Sequence, residues 1–257
     1  MQILFNGMWN IKWLSSLSIA DIKEQFDTCF FSKNYWKLYL TGLENTLIIT
    51  FFALLLGVAI GALIAIVRTT YTRQYDEMRM GFGKIILAIL NFICKVYLTV
   101  IRGTPVVVQI LIIYFIVFQS SKAQIPIAAL AFGINSGAYV AEIFRSGIMS
   151  IDAGQMEAGR SLGLGYTDTM LQIIMPQAIK NCLPALVNEM ITLLKETSIC
   201  GYIGLNELTR GGDIIRGITY DAMMPLLIVA VIYLVIVMFF TWLMGKLERR
   251  LRESDIR

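Results

Sequence analysis

The chain has 257 residues, 57% of them hydrophobic and only 16% charged, against roughly 45–50% and 25% in a soluble domain. With a mean hydropathy of +0.68, it has too little polar material to coat a water-soluble globule, which excludes a large soluble catalytic domain and indicates a polytopic membrane protein. Its net charge of +4 lies at the edges of apolar runs rather than on one basic face, a pattern of membrane topology and not of nucleic-acid binding.

Residues 1–38 carry charges of both signs, among them Asp21, Lys23, Glu24, Asp27, Lys33 and Lys37. They lack the continuous apolar core of a cleaved signal peptide. Trp9, Trp13, Tyr35, Trp36 and Tyr39 recur there, as in an interfacial segment that leads into a first span. The transmembrane unit is expected over 39–250, with a tail at 251–257. Its first span runs over about 42–67, with Glu44 near its start and a small-residue pair, Gly57 and Gly61, suited to close helix packing. A polar loop over 68–84 follows.

Apolar character then extends over about 85–119, interrupted by Arg102-Gly103-Thr104-Pro105, where glycine and proline should break a helix. The segment 85–101, with Lys95, reads as a helix that starts at the interface, and 104–119 as the span proper. Further spans are expected over about 125–148, 182–200 and 222–245, which makes about five in all. With five crossings the 68–84 loop, the polar stretch 149–180 and the tail share one side. The C-terminal stretch 246–257 holds five basic residues (Lys246, Arg249, Arg250, Arg252, Arg257) and the first loop four (Arg68, Arg73, Arg79, Lys84), against one (Lys122) and two (Arg210, Arg216) in the opposite loops. The charge bias places that side, and the C-terminus, in the cytoplasm. If 85–101 and 104–119 both crossed, 149–180 would lie opposite the tail.

The chain has no histidine, which removes histidine metal ligands and general bases, and its four cysteines (Cys29, Cys94, Cys182, Cys200) show no metal or disulfide spacing. No metal site is expected. Within 149–180, Gln155 to Leu162 reads as a short helix stopped by Gly163. A second helix, capped at Tyr166-Thr167-Asp168, should run to about Met175, before Pro176. Some thirty residues of ordered, largely polar helix between two spans suggest a docking surface for a cytoplasmic partner; the alternative is a surface helix that packs only on its own chain.

The sequence EAGRSLGLG, followed by IIMPQAIKNCLPALV, closely resembles the coupling loop of ATP-binding-cassette importer permeases. The match narrows to the polar amino acid permease family of type I importers. Asn45-Thr46-Leu47, Arg102-Gly103-Thr104-Pro105 with Val108-Gln109, Ala138-Tyr139-Val140-Ala141-Glu142 with Arg145-Ser146-Gly147, and Asn188-Glu189 with Leu194-Lys195-Glu196-Thr197-Ser198 resemble its signatures. The resemblance covers about 39–250. It implies an all-α membrane permease subunit that moves a polar amino acid across the cell membrane and does no bond chemistry itself. ATP and Mg²⁺ would bind to a partner ATPase, with no cofactor on this chain. A second permease chain, identical or homologous, and an extracytoplasmic amino-acid-binding protein are the other implied partners, beside the lipid bilayer. The ATPase-coupling residues would be Glu157, Ala158, Gly159, Ser161, Leu162, Gly163, Leu164 and Pro176. Gly159 stands where the family usually has alanine, which should loosen the turn without removing the docking face.

A substrate path is read from Asn135, Tyr139 and Glu142, spaced i, i+4 and i+7 on one helix face, and from Asn188, Glu189 and Lys195. Ionisable groups within a span are costly and point to a pathway, a partner or the bundle interior. An amino acid offers a carboxylate to a cation and an ammonium to an anion, so Glu142, Glu189 and Lys195 suit either substrate contact or interhelical pairing. Each of these carboxylates is expected to need a partner, either Lys195 and Arg145 or the ammonium of the amino acid itself. A self-sufficient channel or secondary transporter is the alternative function, but no internal repeat supports it. A membrane-embedded enzyme would need a cluster of catalytic residues that this chain lacks.

Overall fold

The computed structural model describes residues 18–76 and 78–253. Trp9, Trp13 and most of the 251–257 tail lie outside the described residues. Helix α1 spans Ile19–Phe30. Ser18 caps it reciprocally: its hydroxyl accepts from the Ala20 amide at 3.2 Å, and its own amide donates to Asp21 at 2.9 Å. Lys33 and Asn34 then adopt left-handed backbone angles, φ 49° and 60°, and turn the chain into α2. Phe30 stacks on Tyr39 with ring centroids 5.9 Å apart, which fastens α1 to the start of α2.

Helix α2 runs Trp36–Gln74, 39 residues. At 1.5 Å per residue it is about 58 Å long, far beyond a hydrocarbon core of about 30 Å. The expected loop at 68–84 is therefore helical as far as Gln74. No glycine or proline lies between Gly61 and Gly81 to stop it, and the Thr72 hydroxyl donates back to Arg68 O at 2.9 Å.

Helix α3, Phe82–Gly103, corrects the reading of the next two segments. It is one of four helices among the described residues long and apolar enough to cross a membrane, whereas Val106–Val117 is only a shorter apolar helix. Thus 85–101 belongs to one continuous helix that is long enough by itself to cross, and 104–119 is a short helix followed by a π turn rather than one full-length span. Pro105 lacks an N–H and forces Thr104 into extended geometry, φ −121° and ψ 146°, so α3 stops and α4, Val106–Ile112, begins in its wake. A π turn, Ile113–Val117, ends this arm.

Helix α5, Gln124–Met149, packs on α2 along most of its length. A Cβ at Gly57 would come within 2.9 Å of the Ser136 hydroxyl, and one at Gly61 within 2.6 Å of Val140. In return, Cβ atoms at Gly133 and Gly137 would meet Leu56 at 2.7 Å and Ile60 at 2.8 Å. The expected small-residue seam on α2 therefore has a matching seam on α5, and the backbones approach closely. The numbering rises together on both helices, so α2 and α5 are parallel. The chain between them must return once, and α3 with α4 makes that single return in two pieces: Leu98 clusters with Ile64 and Ala141, and Ile110 with Ile49 and Phe132.

After α6, Ala153–Ser161, and the single turn α7, Tyr166–Thr169, a π turn at Met170–Ile174 continues into α8, Met175–Glu196. Pro176 therefore does not end a helix; it occupies the first turn of α8, where a missing N–H is tolerated. The 149–180 stretch is shorter as a loop than expected, because α8 starts before Lys180. Helix α8 is too polar to count among the four apolar helices, yet it lies antiparallel against α5, with Cys182 beside Ile143 and Glu189 beside Ser136. A 3-10 stretch, Thr197–Ile203, extends it.

Helix α9, Leu208–Thr219, is capped by Glu207, whose carboxylate accepts from the Thr209 and Arg210 amides at 2.7 Å each. Burial holds the Glu207 carboxyl above its ordinary range, and these hydrogen bonds offset only part of that rise. The last helix, α10, spans Met223–Glu253 and starts beside Tyr35, Tyr39 and Ile215. As one continuous helix of 31 residues, about 46 Å long, it reaches the far side of the bundle. The 75–81 loop, residues 150–174 and the end of α10 therefore share one end, as the charge count requires. Residues 118–123, α1 and α9 share the other.

Candidate functional site

The segment between α5 and α8 is built to be presented. Asp152 caps α6 by accepting from the Gly154 amide at 2.6 Å. At the other terminus Gly163 takes φ 85°, its amide donates to Arg160 O at 3.0 Å, and the Leu164 amide donates to Gly159 O at 3.1 Å. This paired 5→2 and 6→1 closure requires a left-handed residue, and glycine adopts it without a Cβ penalty. Glu157, Ala158, Ser161, Leu162 and Gly163 are exposed, with Leu162 82% exposed as an apolar knob. Leu164 is half-buried and Pro176 exposed.

Gly159 departs from the expected docking face. It is buried on the inner side of α6, where a Cβ would meet Thr169 Cγ2 at 2.5 Å, so its smallness lets α6 lie on α7. A further support was invisible in the sequence, where Arg73 counts only as a topology marker. From the overhanging end of α2 its guanidinium donates to Ile148 O at 3.4 Å. Burial raises the Tyr166 hydroxyl and the Arg73 charge lowers it, which places that charge beside the start of α7.

Within the bundle, Asn135 is buried and its amide donates to Gln109 Oε1 at 2.9 Å. Gln109 Nε2 lies 2.8 Å from Ile101 O, 3.1 Å from Thr104 O and 2.8 Å from Thr104 Oγ1. The helix break and the polar face of α5 are thus joined through Gln109, which the sequence offered only as part of a family signature and not as a link between helices. Tyr139, exposed, lies under the Arg102 guanidinium, 5.7 Å from its ring centroid.

Glu142 pairs with Arg145 on its own helix. Lys195 is not its partner. Ser136 donates to Glu189 at 2.8 Å, which fixes the register of two antiparallel helices. Glu142 and Lys195 each lie six residues from that level, in opposite directions, and so about 18 Å apart along the axis. Asn188, Thr192 and Lys195 form an exposed row on α8, while Glu189 turns inward. Two groups of polar residues therefore flank residues 135–136 of α5, one toward the break and one toward α8.

Residues 80–253 match the family of binding-protein-dependent transport system inner membrane components. Over 219 residues the chain is 36% identical to the arginine transport system permease protein ArtQ of Bacillus subtilis (strain 168), covering 84% of this chain and 93% of that protein. Over the same length it is 37% identical to the glutamine transport system permease protein GlnP of Escherichia coli (strain K12), again 84% and 93%. The fold is similar to that in a crystal structure of an amino acid ABC transporter with histidines, with a TM-score of 0.73 and 40% identity over 84% of this chain and 95% of that one. An inward-facing MetNI methionine ABC transporter shares the fold at a TM-score of 0.69 and 22% identity, over 86% and 99%. The chain belongs to the family of inner membrane components of binding-protein-dependent transport systems, which are transport permeases and not enzymes.

Proposed function

We propose that the chain is the membrane-spanning permease subunit of an ATP-binding-cassette importer for a polar amino acid, driven by a separate ATPase that seats on α6. One observation carries this reading. Helix α5 runs without interruption from the buried polar step at Asn135-Ser136 to Met149, and α6, capped and exposed, begins at Ala153. A push on α6 is therefore a push on the helix that lines the polar interior.

The end that carries α6 is cytoplasmic, since Arg68, Arg73, Arg79, Lys84, Lys246, Arg249 and Arg250 gather toward it. The C-terminus lies on that side. ATP and Mg²⁺ belong to the ATPase, and the chain itself carries no cofactor. A second permease chain, identical or homologous, faces the exposed Asn188, Thr192 and Lys195 row, and an extracytoplasmic binding protein delivers the amino acid at the α1 and α9 end. The path runs past Asn135, Tyr139 and Glu142 on one side and Asn188, Glu189 and Lys195 on the other. There the carboxylates meet the substrate ammonium and the cations meet its carboxylate.

The seat on α6 is tested with Leu162→Cys in a complex co-purified with the ATPase. A cysteine placed on the ATPase groove should form a disulfide with position 162, and one at Tyr220, at the opposite end, should not. Absence of a co-purifying ATPase, or equal cross-linking at both ends, contradicts the reading.

A further inference from the structure

A helix broken inside a membrane leaves carbonyl groups that protein, water or ligand must satisfy. Here one side chain does so: the amide nitrogen of Gln109, in the first turns of α4, reaches back to Ile101 O and Thr104 O at 2.8 and 3.1 Å. The other end of the same amide accepts from Asn135 of α5 at 2.9 Å, and both residues are buried, 9% and 3% exposed. The break has two other ties: the Thr104 hydroxyl donates to Val100 O at 2.8 Å, and the Arg102 guanidinium lies over the exposed Tyr139 ring of α5. Arg102, Gly103, Thr104 and Pro105 are all exposed, and a Cβ at Gly103 would meet nothing within 4 Å.

We infer that Gln109 is a positioning residue for transport: through Asn135 it makes the break at Gly103–Pro105 move as one body with α5. The inference rests on the reading of α6 as the ATPase seat. A displacement of α6 is carried along α5, and the amide pair transfers it to the break, where the backbone borders the path. Without the pair, the motion of α5 reaches the break only through the exposed Arg102–Tyr139 contact and is largely lost. ATP is then hydrolysed with no matching translocation.

The test uses the full chain assembled with its ATPase and binding protein in proteoliposomes. Gln109→Leu and Asn135→Leu are compared singly and together, with three readouts: amino-acid uptake, binding-protein-stimulated ATP hydrolysis and thermal stability of the complex. Uptake per ATP should fall about fivefold in each single variant and no further in the double, because both remove one link. Hydrolysis should persist in Gln109→Leu; Asn135 also borders the path, so Asn135→Leu serves only to show that the two losses share one link. If uptake and hydrolysis fall in step with stability, or the double variant loses the product of the single losses, the inference is overturned. Should the leucine variants fail to assemble, Gln109→Asn keeps the amide but is one methylene too short for both partners. It should lower the same ratio, and an unchanged ratio overturns the inference. A wild-type complex that hydrolyses ATP without any uptake contradicts the importer reading instead.

Discussion

Gly163 is where the coupling segment depends on backbone conformation. Its φ of 85° closes α6, and a β-branched side chain there is strained by about 1–3 kcal/mol. Gly163→Val should leave insertion and assembly intact while binding-protein-stimulated ATP hydrolysis is lost. Gly163→Asn, whose residue type tolerates the left-handed region, should retain it. Full stimulation in Gly163→Val would separate the closure of α6 from ATPase docking. Glu142 poses a different question. Its ion pair with Arg145 lies within one helix, with both side chains about one-third exposed, and so straps no two helices together. Glu142→Gln should therefore lower uptake without changing the melting temperature of the complex. A lowered melting temperature with normal uptake would assign Glu142 to the bundle and move the path toward Glu189.

Close packing of α2 on α5 sets the frame for every other element. A leucine at Gly61 would drive into Val140, so Gly61→Leu should destabilise the bundle by about 1–3 kcal/mol or more, read as a fall in melting temperature. Gly217 is the contrast. It lies in α9 with nothing within 4 Å of a Cβ, so Gly217→Ala should be neutral or stabilise by about 0.5–1 kcal/mol through helix propensity. Equal responses at both sites would show that the seam does not govern stability. The Gly57–Gly61 seam and the break at Arg102–Pro105 were legible in the sequence because glycine and proline act locally. How the break divides its arm was not. Lys95 weighed against 85–101 as a span, but on α3 it sits on an exposed face and leaves 22 continuous helical residues intact. Pro176 misled for a related reason: proline ends a helix only where its N–H is needed, and in the first turn of α8 it is not.

At the scale of the molecule, the shared end of the 75–81 loop, residues 150–174 and α10 followed from charge counting, and the parallel run of α2 and α5 supports it independently. The polar interior was half legible. Spacing on one helix put Asn135, Tyr139 and Glu142 on a face, but pairing across helices depends on register, which single-sequence spacing does not contain. Hence Glu189 finds Ser136 and Lys195 lies far from Glu142. Gln109 stands in the sequence only as part of a signature beside Pro105, and its role shows once its amide is seen to bond the end of α3 and Asn135 of α5. The most direct test of the importer assignment is ATP-driven accumulation of an amino acid in proteoliposomes that hold this chain, its second permease chain, its ATPase and its binding protein. Accumulation against a gradient that disappears when the ATPase or the binding protein is left out is the expected result. Equal accumulation by this chain alone would contradict it.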